Sequence, residues 1–328
     1  MRAGNSAACG SPKMPEADPA FRADVLLGLA ATPKAVPARW LYDRRGSELF
    51  EEITRQPEYY PTRIETALLA GIGPELADLV APGSAVVEFG SGSSAKTPLL
   101  LRAARPGAYV PIDISGDFLR EAAGELGRDF PSLPVLPVEA DFTHPLTLPP
   151  SISSLRRLGF FPGSTIGNLV PETAVNLLRS FRATLGTGAQ LLIGMDRVKD
   201  CDVLARAYDD AAGVTAAFNY NLLHRINAEL DGDIPVEAFR HRAPWNEALS
   251  RIEMHLEATR DVAFSISGRG FSMRGGETIH TENSHKYGPR DARLLLRAGG
   301  WTVRREWTDA ADWFAILLAE AEPPRFAP

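Results

Sequence analysis

From about residue 85 the chain alternates short apolar runs with helical patterns, and this alternation constrains the fold more than any other feature. SAVVEFG, AYVPIDI, LPVLPVEADF, RRLGFFPGSTIGN and AQLLIGMD read as strands. AKTPLLLRAA, DFLREAAGELGRDF and PETAVNLLRSFRATL read as helices between them, with Leu119, Ala122, Ala123 and Leu126 on one side of the second. Short runs this apolar suit strands buried on both faces, and repeated strand–helix units make a parallel, doubly wound sheet. A closing helix, DARLLLRAGG, and two more strands, WTVRREWTD and WFAILLAEA, complete the set. The expected class is α/β, a Rossmann-like seven-strand sheet.

Two regions break the pattern. Residues from about 197 to 289 begin with helices (VLARAYDDAAGVTAAFNYNLLHRINAEL) and continue with alternating segments such as RIEMHLEAT and DVAFSIS, an inserted α+β module. Ahead of the sheet, residues 1–18 carry Gly, Ser, Ala and Pro without an apolar period and are expected to be disordered. A helical pattern runs from Phe21 until Pro33 to Pro37 break it. A short helix is expected over Ser47 to Thr54, where Leu49, Phe50 and Ile53 share a face, and Pro57 stops it. Pro61 then opens a longer helix carrying Ile64, Leu68, Leu69 and Ile72.

Composition narrows the function. A net charge of −6 argues against nucleic acid, which demands a basic face. Cys9 and Cys201 form no C-x-x-C pair and suit a reducing cytosol. There is no run of about 18 apolar residues and no apolar signal-peptide core, so no membrane contact and a cytoplasmic location are expected. No obvious coiled-coil or apolar helix face is present, which leans toward a monomer.

The loop EFGSGSS, Glu88 to Ser94, joins the first strand to its helix. Gly90 and Gly92 lack a Cβ where backbone must approach a ligand, and the crevice beyond the strand end is where such sheets bind one. GSGSSA also satisfies the dinucleotide pattern G-x-G-x-x-G/A, and a merely tight turn is the alternative. Asp113 ends the second strand, where a carboxylate can take both ribose hydroxyls of NAD or of S-adenosylmethionine. Two further features favour the methyl donor. Glu88 can bond near its amino-acid end, and Asp141-Phe142 ends the third strand, where a carboxylate can accept the adenine amino group and a ring can cover the base. The alternatives are a surface charge for Glu88, a helix cap for Asp141 and a core ring for Phe142. Lys96 either caps its helix, touches the cofactor carboxylate or is solvated.

Longer segments then carry a resemblance. YDRRGSELFEEITRQPEYYPTR, EFGSGSSAKT, FFPGSTIGN, AYDDAAGVTAAFNYNLLHRIN and GETIHTENSHKY, spanning about Leu41 to Tyr287, are similar to the histidine Nα-methyltransferases, which form hercynine on the route to ergothioneine. The resemblance implies a seven-strand methyltransferase domain over residues 62–196 and 290–328, interrupted by a substrate-binding α+β domain over 19–61 and 197–289. It implies S-adenosylmethionine contacts at Tyr42, Gly90, Lys96, Asp113, Asp141 and Phe142. For L-histidine it implies Tyr59, Asn168, Tyr208, Met254, Glu282 and Ser284, with Tyr59 and Asn168 at the reacting nitrogen.

These residue types suit the chemistry. The Asn168 side-chain oxygen can accept an amine N–H, although a turn-forming Asn reads the same way. Tyr59 offers a hydroxyl and an aromatic face for a cationic product; its alternative, like that of Tyr208 and Met254, is core packing. Glu282 and Ser284 stand two apart on a strand and so face one way, where a carboxylate and a hydroxyl can grip the two imidazole nitrogens. A polar edge-strand face is the alternative. His280 is expected on the same face; no further ligand at useful spacing supports a metal. Competing functions are Nα-methylation of another aromatic amino acid, an NAD-dependent oxidoreductase, for which no hydride-transfer constellation is evident, and a non-catalytic cofactor-binding protein.

Overall fold

A computed structural model of the protein describes residues 18–92, 96–114 and 116–323. The expected disordered tail therefore lies, apart from Asp18, outside the described residues, as do Ser93 and Ser94 of the glycine loop.

The N-terminal part contains α1 (Pro19–Ala30), β1 (Lys34–Ala35), α2 (Arg44–Thr54) and α3 (Tyr60–Leu79). Helix α2 starts three residues before the expected Ser47, because the Asp43 carboxylate accepts from the Gly46 N–H at 2.7 Å and caps it earlier. The core follows as β2 (Ala85–Phe89), α4 (Thr97–Ala104), β3 (Ala108–Asp113), α5 (Gly116–Asp129), β4 (Val138–Glu139), β5 (Arg157–Phe161), α6 (Pro171–Leu185) and β6 (Gln190–Asp196). Strand β4 keeps only two residues of LPVLPVEADF, since Pro134 and Pro137 have no N–H for a ladder.

The next stretch holds α7 (Cys201–Tyr208), α8 (Val214–Glu229), β7 (Phe239–Arg242), β8 (Trp245–Asn246), β9 (Arg251–Ala258), β10 (Val262–Ile266), β11 (Arg269–Met273) and β12 (Thr278–His285). The chain ends its described part with α9 (Pro289–Ala298), β13 (Trp301–Thr308) and β14 (Phe314–Ala321). The long helical run is two helices because Asp210 accepts from the Val214 and Thr215 N–H groups and starts a new one.

One sheet has the order β13-β14-β6-β5-β2-β3-β4. Strands β2 to β6 run parallel, while β14 is antiparallel to both its neighbours. The chain leaves β2 toward β3 and β4, then returns to β5 on the other side. The carboxyl ends of β2 and β5 thus flank a topological switch point, where loops diverge and leave a crevice. Alternate β2 residues feed opposite cores: Ala85, Val87 and Phe89 one side, Val86 the other.

A second sheet has the order β1-β12-β9-β7, with β8 added to β9. Its β1 comes from the N-terminal part and pairs parallel with β12, so two distant segments share one sheet. They also share a third core, built from Phe21, Val25, Leu41, Ile53, Tyr60, Leu222, Leu256 and Ile279 among others. Among the described residues no helix is long and apolar enough to cross a membrane.

Candidate active site

The crevice edge is built from successive strand ends. Gly90 follows β2 with φ +72°, and a Cβ there would stand 3.4 Å from the Phe142 ring; Gly92 has φ +42°. Both conformations disfavour a side chain. Asp113 closes β3 and its Oδ2 lies 3.4 Å from the Gly92 amide. Beyond β4, Asp141 accepts from the Thr143 N–H at 2.9 Å and hydroxyl at 2.6 Å through one oxygen, Oδ1. Phe142 meets Phe89, Phe161 and Phe181 edge-on or tilted, at centroid distances of 6.3, 6.1 and 6.2 Å. The expected trio of strand ends is therefore assembled. Carboxylates at two adjacent strand ends, beside a glycine turn covered by a ring, fit a ribose, an adenine and a close backbone approach.

Two expected contacts take other partners. Glu88 is no surface charge and does not reach the crevice through a free side chain. It is buried, and its Oε2 accepts from Thr97 at 2.7 Å and Tyr109 at 2.6 Å. Burial raises its pKa to about 7 against those bonds. Lys96 stands at the N-cap position of α4 but makes no side-chain cap bond; its ammonium pairs with buried Glu65, whose oxygens also accept from the Gly163 N–H at 3.0 and 2.9 Å. Helix α3, the β2 loop and the β5 loop are tied there.

The second cluster forms on β12. The turn after β5, Thr165–Asn168, passes so near this strand that a Cβ on Gly167 would sit 2.7 Å from the His285 carbonyl oxygen. That approach delivers Asn168, whose Nδ2 donates to Glu282 Oε1 at 3.1 Å. Tyr42, expected at the cofactor, instead donates its hydroxyl to the same oxygen at 3.1 Å. Burial is the main cause that raises Glu282 to about 7, opposed by the Tyr42 bond and the Lys286 charge. Two residues on, Ser284 Oγ is 2.6 Å from the Tyr208 hydroxyl. Tyr59 packs edge-on against Tyr208 at 6.1 Å and Phe50 at 6.2 Å. Burial pushes the Tyr42, Tyr59 and Tyr208 hydroxyls well above their usual range, so all three stay protonated.

The strand register explains which side chains meet. His280 pairs with His255, yet Glu282 pairs with Met254, because the ladder shifts by one residue at Thr281. This bulge switches the phase of the strand. Glu282 and Ser284 fall on the face of Met254 and Ile252, which is buried, as expected. His280 falls on the opposite face with its ring 5.0 Å from His255, which corrects the expectation that it shares the Glu282 face. Among the described residues no three His, Cys, Asp or Glu side chains stand close enough to hold a metal ion.

Sequence reasoning missed a charged layer beneath this cluster. Asp196, at the end of β6, accepts from Tyr60 at 2.7 Å, forms an ion pair with Lys286 at 2.7 Å and pairs with Lys199. Burial alone would raise Asp196; the two ammonium groups outweigh it and hold the carboxyl below its usual range. Burial lowers Lys199 to about 8. The signals that point to this layer are Asp196 ending an apolar buried strand and Lys286 standing two residues after Ser284.

Residues 21–321 match the family described as histidine-specific, SAM-dependent methyltransferases. The chain is 42% identical over 307 residues to the histidine N-alpha-methyltransferase of Mycolicibacterium smegmatis, covering 92% of this chain and 94% of the relative. It is likewise 42% identical over 306 residues to the protein of the same name from Mycobacterium tuberculosis, covering 92% and 94%. A more distant relative, the 4-dimethylallyltryptophan N-methyltransferase of Claviceps purpurea, is 26% identical over 317 residues, covering 89% and 92%. With a match over nearly its whole length, this chain belongs to the family of histidine-specific, S-adenosylmethionine-dependent methyltransferases.

Proposed function

We propose that this protein methylates the α-amino nitrogen of L-histidine three times to give hercynine, with residues 62–196 and 290 onward holding S-adenosylmethionine and residues 19–61 and 197–289 holding the amino acid. The observation that carries this reading is the meeting at Glu282 Oε1 of Asn168, which follows a strand of the parallel sheet, and Tyr42, from the N-terminal part. Supporting it, Glu282 and Ser284 share one buried face of β12, and Asn168, which bonds Glu282, follows a strand that flanks the switch point.

S-adenosylmethionine supplies an electrophilic methyl group on a sulfonium. Asp113 suits its ribose hydroxyls, Asp141 and Phe142 its adenine, and Gly90 and Gly92 a close backbone approach. Lys96 and Glu88 act one layer behind, by holding the loop from below. On the histidine side, Glu282 and Ser284 take the ring nitrogens and Met254 packs against the ring. Asn168 orients the amine, and Tyr208 acts on the substrate through Ser284. Tyr59 turns an aromatic face toward the increasingly cationic nitrogen, a contact worth about 0.5–2 kcal/mol.

No strong base is required. A peptide α-amino group titrates at about 7.7–8.0 and the ionised carboxylate of a free amino acid raises it, so the site frees the lone pair by lowering it again. The chain's main contribution is to hold that lone pair in line, which can supply about 7–11 kcal/mol. The protonated tyrosines act as donors here and not as bases.

The test is incubation of the purified protein with S-adenosylmethionine and each of the twenty amino acids, read by mass spectrometry. Three added methyl groups on histidine alone are expected. Methylation of tryptophan or tyrosine in preference to histidine would move the assignment to another aromatic amino acid.

A further inference from the structure

We propose that Lys286 is a specificity-determining positioning residue: together with Tyr208 it fixes the Ser284 hydroxyl as a hydrogen-bond donor, so that the site accepts a neutral imidazole through its lone-pair nitrogen. The inference rests on the reading of Glu282 and Ser284 given above and deepens it.

Protons and lone pairs can be counted. Lys286 has a fully buried side chain with three N–H donors and no acceptor. Its Nζ lies 2.7 Å from the Tyr208 hydroxyl, 2.8 Å from Ser284 Oγ and 2.7 Å from Asp196 Oδ2. All three donors are spent inside the chain, so Lys286 acts on a substrate only through other groups. It fills one acceptor position on each of the two hydroxyls. Ser284 and Tyr208 also bond each other at 2.6 Å, which consumes the proton of one and an acceptor position of the other. One O–H and one acceptor position are left over, and the O–H has to point outward. The phenol is the more acidic donor, so Tyr208 gives its proton to Ser284. Both serine lone pairs are then occupied and its own hydrogen faces the ligand. Ser284 therefore presents a donor and no acceptor, and the one lone pair left over stays on Tyr208.

Glu282 presents the complement. Its Oε1 already accepts from Tyr42 and Asn168, and among the described residues nothing donates to Oε2. A carboxylate acceptor and a hydroxyl donor on one strand face match a ring with one N–H and one bare nitrogen, which is neutral imidazole. Asp196 locks the orientation by anchoring the ammonium from below, with Tyr60 and Lys199 completing its shell. Without the ammonium, Ser284 could turn its hydrogen onto Tyr208 and offer a lone pair instead, and the distinction between N and N–H at that position would be lost.

The experiment compares histidine with two analogues. Pyrrol-3-ylalanine keeps the ring N–H and replaces the other nitrogen by CH; thiazol-4-ylalanine keeps a bare nitrogen and has no N–H. In the wild type, pyrrol-3-ylalanine should lose about 10- to 100-fold in kcat/KM against histidine, the cost of a buried unpaired donor. In Lys286→Met that penalty should shrink by at least about fivefold, while the thiazole penalty, carried by Glu282, and the Kd for S-adenosylmethionine stay unchanged. Should Lys286→Met fail to fold, Lys286→Gln makes the same test, since its amide can both donate and accept and so also releases Ser284. An unchanged pyrrole penalty in a folded variant that still binds the methyl donor overturns the role of Lys286. Failure of the wild type to methylate histidine at all overturns the functional assignment instead.

Discussion

The two halves of the site are built by different means. On the side proposed for the cofactor, the arrangement rests on backbone placement: Gly90 and Gly92 in left-handed conformations, and Asp113, Asp141 and Phe142 at the ends of strands that follow one another in the chain. On the side proposed for histidine, the arrangement rests on a cluster of side chains drawn from five segments: Tyr42, Asn168, Asp196, Tyr208, and Glu282 with Ser284 and Lys286. The first construction depends on sheet topology, which many residues enforce together. The second depends on a single bulge and on bonds between residues up to 240 positions apart. The specific half of the enzyme should therefore be far more fragile than the general half.

Deleting Asn283 tests this contrast most severely. It makes Glu282 and Ser284 consecutive on β12, so that they face opposite ways. Histidine turnover should fall by roughly a hundredfold or more, because the imidazole loses a buried partner. Binding of S-adenosylmethionine, followed by titration calorimetry, should change by less than about threefold, within the 1 kcal/mol expected for a distant site. Loss of both together would show that the halves do not fail separately.

A smaller effect is expected in stability. Glu282 holds its proton up to about pH 7 in the folded chain and releases it near 4.5 when unfolded. Between those values the folded state binds more protons, so this group's contribution is full below 4.5 and is lost as pH rises through about 7. Glu282→Gln has no such dependence. The variant should gain on the wild type by about 3 kcal/mol between pH 4.5 and 8, in urea melts, while losing histidine binding. A difference that stays flat with pH would refute the buried, substrate-poised carboxyl.

The smallest effect falls on the cofactor side. Gly90→Ala places a Cβ at φ +72° and 3.4 Å from Phe142. About 1–2 kcal/mol of strain is expected, read as a several-fold weaker Kd for S-adenosylmethionine, with KM for histidine within about twofold of wild type. An equal rise in both constants would argue that the loop also shapes the amino-acid pocket.

Much of the cofactor side is legible in the amino-acid order. Strand ends are marked by apolar runs that stop at Gly or Asp, so Gly90, Asp113 and Asp141 can be placed on one edge by order alone. Glu88 and Lys96 gain partners that the motif does not show, because a motif position does not tell which way a side chain points; Tyr109, Thr97 and Glu65 bond them. On the histidine side, spacing by two correctly puts Glu282 and Ser284 on a shared face. The same spacing rule puts His280 there too, and the bulge removes it.

The parallel sheet, the interruption after Asp196 and the polar pair on β12 are all written in the chain's local pattern, because strand periodicity and apolar runs involve only near neighbours. Three other features come solely from packing: β1 joins β12, Tyr42 serves Glu282, and Lys286 lies buried on Asp196. The reason is physical. A ladder register and a buried ion pair are set by which distant segments pack together, and charges in a sequence carry no mark of the partners that burial will give them.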